Sequence, residues 1–73
     1  MSARLGWTDA EEIAERLYEQ APEADPLQVR FTELLRRVSV LPDFADAPEQ
    51  ANEARLEAIQ MAWLARWREE RPR

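Results

Sequence analysis

The sequence predicts a mainly α-helical domain, and three observations carry that expectation. Apolar residues recur at helical spacing in three separate segments, threonines precede the first two of those segments as caps would, and prolines fall at the segment boundaries. A chain of 73 residues has room for one domain, here residues 1–73, with 1–6 and 68–73 expected to fray. Such a domain buries only about 60% of the surface its unfolded chain exposes, so its stability is modest. With no cysteine there is neither a disulfide framework nor a thiolate metal site, which leaves helix packing to stabilise it.

The first helix is predicted from about Asp9 to Gln20. Thr8 and Glu11 have the spacing of a capping box, and Asp9, Glu11 and Glu12 sit where the helix dipole favours carboxylates. Ala10, Ile13, Ala14, Leu17 and Ala21 form one apolar stripe. Pro22 and Pro26 bracket a connector, and Asp25-Pro26 can open a short helical turn.

Val29-Arg30-Phe31 reads as a short extended piece, after which Thr32 is the expected N-cap of a second helix that Pro42 ends. Leu34, Val38 and Leu41 share a face of it. The segment Asp43 to Pro48 reads as a loop anchored by Phe44. A third helix starts near Pro48 or Asn52 and carries Leu56, Ile59, Trp63 and Trp67 on one face, flanked by Gln60 and Leu64. Arg66, Arg68 and Arg71 near its end oppose its dipole favourably. The apolar stripes suffice to satisfy one another within one chain, so a monomer is expected.

Composition narrows the function. Without histidine or cysteine the chain lacks a ready general base near neutral pH and a thiolate nucleophile, so no enzymatic role is expected. The opening residues lack the apolar core of a signal peptide, and no apolar stretch is long enough to cross a bilayer. A cytoplasmic location is the default expectation. The net charge of -5 is uneven: residues 1–35 hold eight acids and three arginines, residues 36–73 seven of each. That field repels nucleic acid and favours basic protein surfaces or cations.

The strongest polar feature lies on helix 1, where Glu11, Glu15 and Glu19 fall at i, i+4 and i+8 with Glu12 beside them. Like charges at this spacing weaken a helix slightly. Such a ridge suits a basic partner or a hard cation such as Fe²⁺, Mg²⁺, Ca²⁺ or Mn²⁺. A plain solvated face is the alternative. Asp43 and Asp46 make a smaller acidic pair of a kind common as loop and cap residues. Trp7 and Trp63 read as staple and core, whereas Trp67, near a helix end, could be an exposed contact.

Trp7-Thr8-Asp9, Glu12-Ile13, Leu17, Pro22, Asp25-Pro26, Val29-Arg30-Phe31-Thr32, Leu41, Asp43-Phe44, Asp46, Pro48, Asn52-Glu53, Leu56-Glu57-Ala58-Ile59 and Trp63-Leu64 occur in that order. This ordered set, covering about residues 7 to 64, resembles the IscX family, also called YfhJ. The resemblance implies a compact three-helix fold akin to a modified winged helix. It further implies a small acidic adaptor or regulator of iron–sulfur cluster assembly that binds the cysteine desulfurase IscS, competes there with the bacterial frataxin homologue, and binds Fe²⁺ weakly. On this reading Asp9, Glu12, Glu15 and Glu19 present the partner surface. The carboxylates implied for iron are Glu12, Glu15 and Glu19, with Asp43 and Asp46 from the loop.

Departures from the family pattern bear mostly on iron. The loop Phe44-Ala45-Asp46-Ala47-Pro48 keeps one of three usual aspartates, Ala65-Arg66 replaces acids after Trp63-Leu64, and Arg37 stands where a tryptophan is common. Fewer carboxylates lower both ligand count and local charge, so iron binding is expected to be weaker than is usual for the family. Two other readings compete. One is a structural module for another basic protein, contacting it near Trp67. The other is a winged-helix DNA binder using Arg30, Arg36 and Arg37, which the net acidity opposes.

Overall fold

A computed structural model of the chain describes residues 4–70, and the mainly helical expectation holds. Three α-helices follow one another: α1 (Ala10–Gln20), α2 (Phe31–Ser39) and α3 (Glu53–Glu69), with 3-10 turns at Pro26–Gln28 and Pro48–Gln50. Arg71 and the outermost residues of both predicted frayed ends, 1–3 and 71–73, lie outside the described residues. The longest helix, α3, is the central element and packs chiefly on α1. The α1 stripe buries Ile13, Ala14 and Leu17, α2 contributes Leu34 and Val38, and α3 contributes Leu56, Ile59, Trp63 and Leu64. Leu41, just beyond α2, completes the face it was expected to share. Gln60, flanking the α3 face, donates its amide to the Pro26 carbonyl at 3.0 Å and so ties α3 to the first 3-10 turn.

The turn at Pro26 forms as expected, with the Asp25 carboxylate accepting from the Leu27 amide at 3.0 Å. Asn52, one of the two starts considered, caps α3 by accepting from the Arg55 amide at 2.8 Å, while Pro48 opens a separate turn. Both threonine caps differ from expectation. Helix α2 begins at Phe31 after Arg30, so Thr32 lies inside it; Val29 and Arg30 are extended in backbone but pair with no strand among the described residues. Helix α1 begins after Asp9, whose carboxylate does not cap forward but accepts from the Gly6 amide at 2.8 Å. The capping box of Thr8 and Glu11 therefore does not form. The cause is long-range: Trp7 is drawn into the core and takes the preceding turn with it.

Part of the expected frayed start is instead stitched down. Leu5 is 3% exposed, its amide donates to Asp43 O at 2.8 Å, and its carbonyl accepts from Ala45 N at 2.9 Å. These bonds make a parallel bridge between Leu5 and Phe44, and among the described residues this bridge is the whole of the β pairing. Trp7 completes the seam: its amide donates to Asp46 Oδ2 and its Nε1 to Ala47 O, each at 2.9 Å. Phe44 anchors the loop as predicted, packing its ring edge-on to Trp7 at 4.7 Å between centroids.

Gly6 lies in close approach to the Asp46 carboxylate. A Cβ on it would stand 2.6 Å from Asp46 Oδ2, so any larger residue displaces the carboxylate that Trp7 N needs. Gly6→Ala is expected to cost about 1–2 kcal/mol in urea denaturation, the range for stranding a largely buried donor. In an Asp46→Ala background the same change should cost only a few tenths of that, since nothing remains to collide with. Equal penalties in both backgrounds would remove the collision as the explanation.

Candidate partner-binding surface

The buried stripe of α1 dictates where its acids point. At about 100° per residue, Glu12, Glu15 and Glu19 fall within an arc of roughly 60° on the side opposite Ile13 and Leu17. All three are exposed, as is Glu11 at the edge toward α3. The ridge therefore exists as a surface and stands clear of the core. Its members differ in their surroundings. Among the described residues the carboxylates of Glu12 and Glu19 make no ion pair, whereas Glu15 Oε2 accepts from Arg66 Nη2 at 2.8 Å.

Arg66 comes from α3, 51 positions away in the chain, and also lies 3.7 Å from Glu70. Between α1 and α3 this leaves an open groove of about 250 Å³, floored by Ala14, Ala62 and Ala65 and walled by Glu11, Glu15, Arg66 and Glu69. Sequence reasoning placed Arg66 against the helix dipole, which its position in the last turn satisfies. Its bond to Glu15 had no local signal.

The remaining predicted site residues occupy other places. Asp9 is half-buried and holds the turn at Gly6, so its carboxylate is already engaged. Asp43 pairs with Arg16 at 3.2 Å, fixing the loop to the flank of α1. Asp46 receives the Trp7 amide. Among the described residues no three carboxylates gather closely enough to hold a metal ion. The five implied for iron thus divide between a helix face and a loop seam.

The basic cluster on α2 is partly neutralised from within. Glu33 accepts from Arg37 Nε at 3.0 Å and lies 4.0 Å from Arg36. The Arg37 guanidinium also lies over the Trp63 ring, 5.9 Å from its centroid, as a half-exposed cover on the core. Trp67 is half-buried, which corrects the expectation of an exposed contact residue. No helix among the described residues is long and apolar enough to cross a membrane.

Comparison with known proteins accords with this architecture. The profile of a family described as iron-sulphur cluster assembly matches residues 5–68, which begin at the buried Leu5 and end in the last turn of α3. An uncharacterized protein of Pseudomonas aeruginosa, PA3808, is 52% identical over 60 residues, spanning 82% of this chain and 91% of the relative. The match takes in the seam, the three helices and the ridge together, and the chain belongs to the IscX family of iron-sulphur cluster assembly proteins.

Proposed function

We propose that this protein is a non-catalytic adaptor or regulator of iron–sulfur cluster assembly that binds the cysteine desulfurase of that machinery through α1. The observation that carries the reading is the exposed arc of Glu12, Glu15 and Glu19 on a protein of this family. Carboxylates grouped on one rigid helix give a basic surface a fixed, complementary target and speed the encounter of the two proteins. Competition with the frataxin homologue for the same basic surface, which the family resemblance implies, is compatible with that complementarity. The protein works in the cytoplasm as a monomer on this reading. Co-elution of the chain with the desulfurase on gel filtration at low salt, and separation at about 0.5 M salt where charges are screened beyond a few ångströms, is the expected outcome. Separate elution under both conditions would refute the partnership.

Iron is cargo on this reading, and among the described residues no three carboxylates converge to hold it. Glu15, Asp43 and Asp46 already have internal partners, which leaves Glu12 and Glu19, of the five implied for iron, without one among the described residues. Hard cations bind well where several oxygens converge, so Fe²⁺ association is weak and reflects general negative charge. Anaerobic Fe²⁺ titration should give the same weak isotherm for the wild type and for Asp43→Asn. A clear loss of affinity in Asp43→Asn would show that the loop does supply a ligand.

A further inference from the structure

Arg66 is placed unlike the other arginine of the same turn. Its guanidinium reaches from α3 to the carboxylate of Glu15, at the edge of the ridge, with Glu70 3.7 Å away on its other side. Arg68, two residues further on, is exposed and has no ion pair among the described residues. We propose that Arg66 is an intramolecular occupant of the ridge: it holds Glu15 in a pair that a basic partner has to break, and so sets how tightly the ridge binds. The inference rests on the reading of α1 as the partner surface.

Three features fit such a role. The pair is partly open to water, with side chains 34% and 48% exposed, so an incoming cation can reach and exchange with it. The groove beside it is open and floored by alanines, which gives the methylenes of a partner's arginine an apolar surface to lie on. Glu11 and Glu69 line the same groove and remain attractive to the newcomer while Arg66 yields. A tethered arginine in this position mimics the chemistry of the ligand it opposes. It also discriminates: a single weakly held cation does not repay displacement, whereas a basic surface that engages Glu12 and Glu19 at the same time does.

The test uses an acetylated hexa-arginine peptide, titrated at low salt and followed by NMR shifts of the α1 amides. The proteins are the wild type, Arg66→Gln, Arg68→Gln, Glu15→Gln, the Glu15→Gln/Arg66→Gln double variant and the Glu12, Glu15, Glu19 to Gln triple variant. Arg68→Gln makes the same change in net charge and controls for it. Arg66→Gln is expected to bind about two- to five-fold more tightly than Arg68→Gln, which corresponds to the ~0.4–1 kcal/mol of a partly exposed ion pair. In the Glu15→Gln background removal of Arg66 should bring no such gain. Ridge-dependent binding with Arg66→Gln and Arg68→Gln indistinguishable overturns this inference alone. Binding that the triple variant leaves unchanged, or no binding by any protein, overturns the reading of α1 as well.

Discussion

Trp63→Ala is expected to unfold the domain or to lower its melting temperature by tens of degrees. Trp63 is 0% exposed at the centre of α3, in contact with the core that α1 and α2 build around it. Truncating a buried tryptophan costs about 3–5 kcal/mol. At ~0.05–0.15 kcal/mol per residue, a chain of 73 residues has about 4–11 kcal/mol in all. The substitution therefore removes about a quarter or more of the total, and each kcal/mol lowers the midpoint by about 4–8 °C in a domain of this size. Trp63→Phe should be far milder. The Trp63 Nε1 is buried with no hydrogen-bond partner among the described residues, so phenylalanine loses volume but also relieves a stranded donor. Met61→Ala, on the exposed side of the same helix at 45% exposure, should change stability by less than about 0.5 kcal/mol. Thermal melts of the three variants check this ordering, and a Trp63→Ala protein melting within a few degrees of wild type would contradict it.

The second large effect concerns binding. Changing Glu12, Glu15 and Glu19 to Gln is expected to weaken desulfurase binding roughly 100-fold, at about 1 kcal/mol for each carboxylate lost at a charged interface. Glu15 should contribute least, since Arg66 already neutralises part of its charge. Misfolding will not account for the loss. Glutamine keeps the side-chain shape and helix propensity, and removing like charges at i, i+4 spacing favours α1 slightly.

The periodic parts of the fold were legible in the sequence. Ile13, Ala14 and Leu17 mark α1, and Leu56, Ile59 and Trp63 mark α3, because burial of one helix face forces apolar residues to recur every three or four positions. Asn52 was legible as one of two starts of α3 and Asp25-Pro26 as the opening of a turn, and in both places a short polar side chain bonds the backbone two or three residues on. Where the reading failed, a distant residue had overridden a local pattern. Thr8 and Glu11 match a capping box, yet Asp46 and Ala47 hold Trp7 and reset the turn before α1. Leu5 is a single apolar residue without period, and only the Asp43–Ala45 backbone makes it part of the core.

The surface follows the same division. The ridge was visible because glutamates at i and i+4 share a face whatever the tertiary structure. What surrounds each acid was not visible. Arg66 on Glu15, Arg16 on Asp43 and the Trp7 amide on Asp46 are separated in the chain by 51, 27 and 39 positions. These contacts distinguish Glu12 and Glu19, whose carboxylates have no ion pair among the described residues, from acids that hold the fold together. They also explain why the loop with two aspartates forms a seam with the Leu5–Trp7 segment, and why no cluster of carboxylates forms there among the described residues.

The most direct test of the ridge as a docking surface is calorimetric titration of the cognate cysteine desulfurase with the wild type and the triple glutamine variant, at low and at moderate salt. The account predicts binding by the wild type that weakens as salt rises, and little or no binding heat from the variant under either condition. Wild-type affinity in the triple variant, with the same dependence on salt, would contradict it and move the interface away from α1.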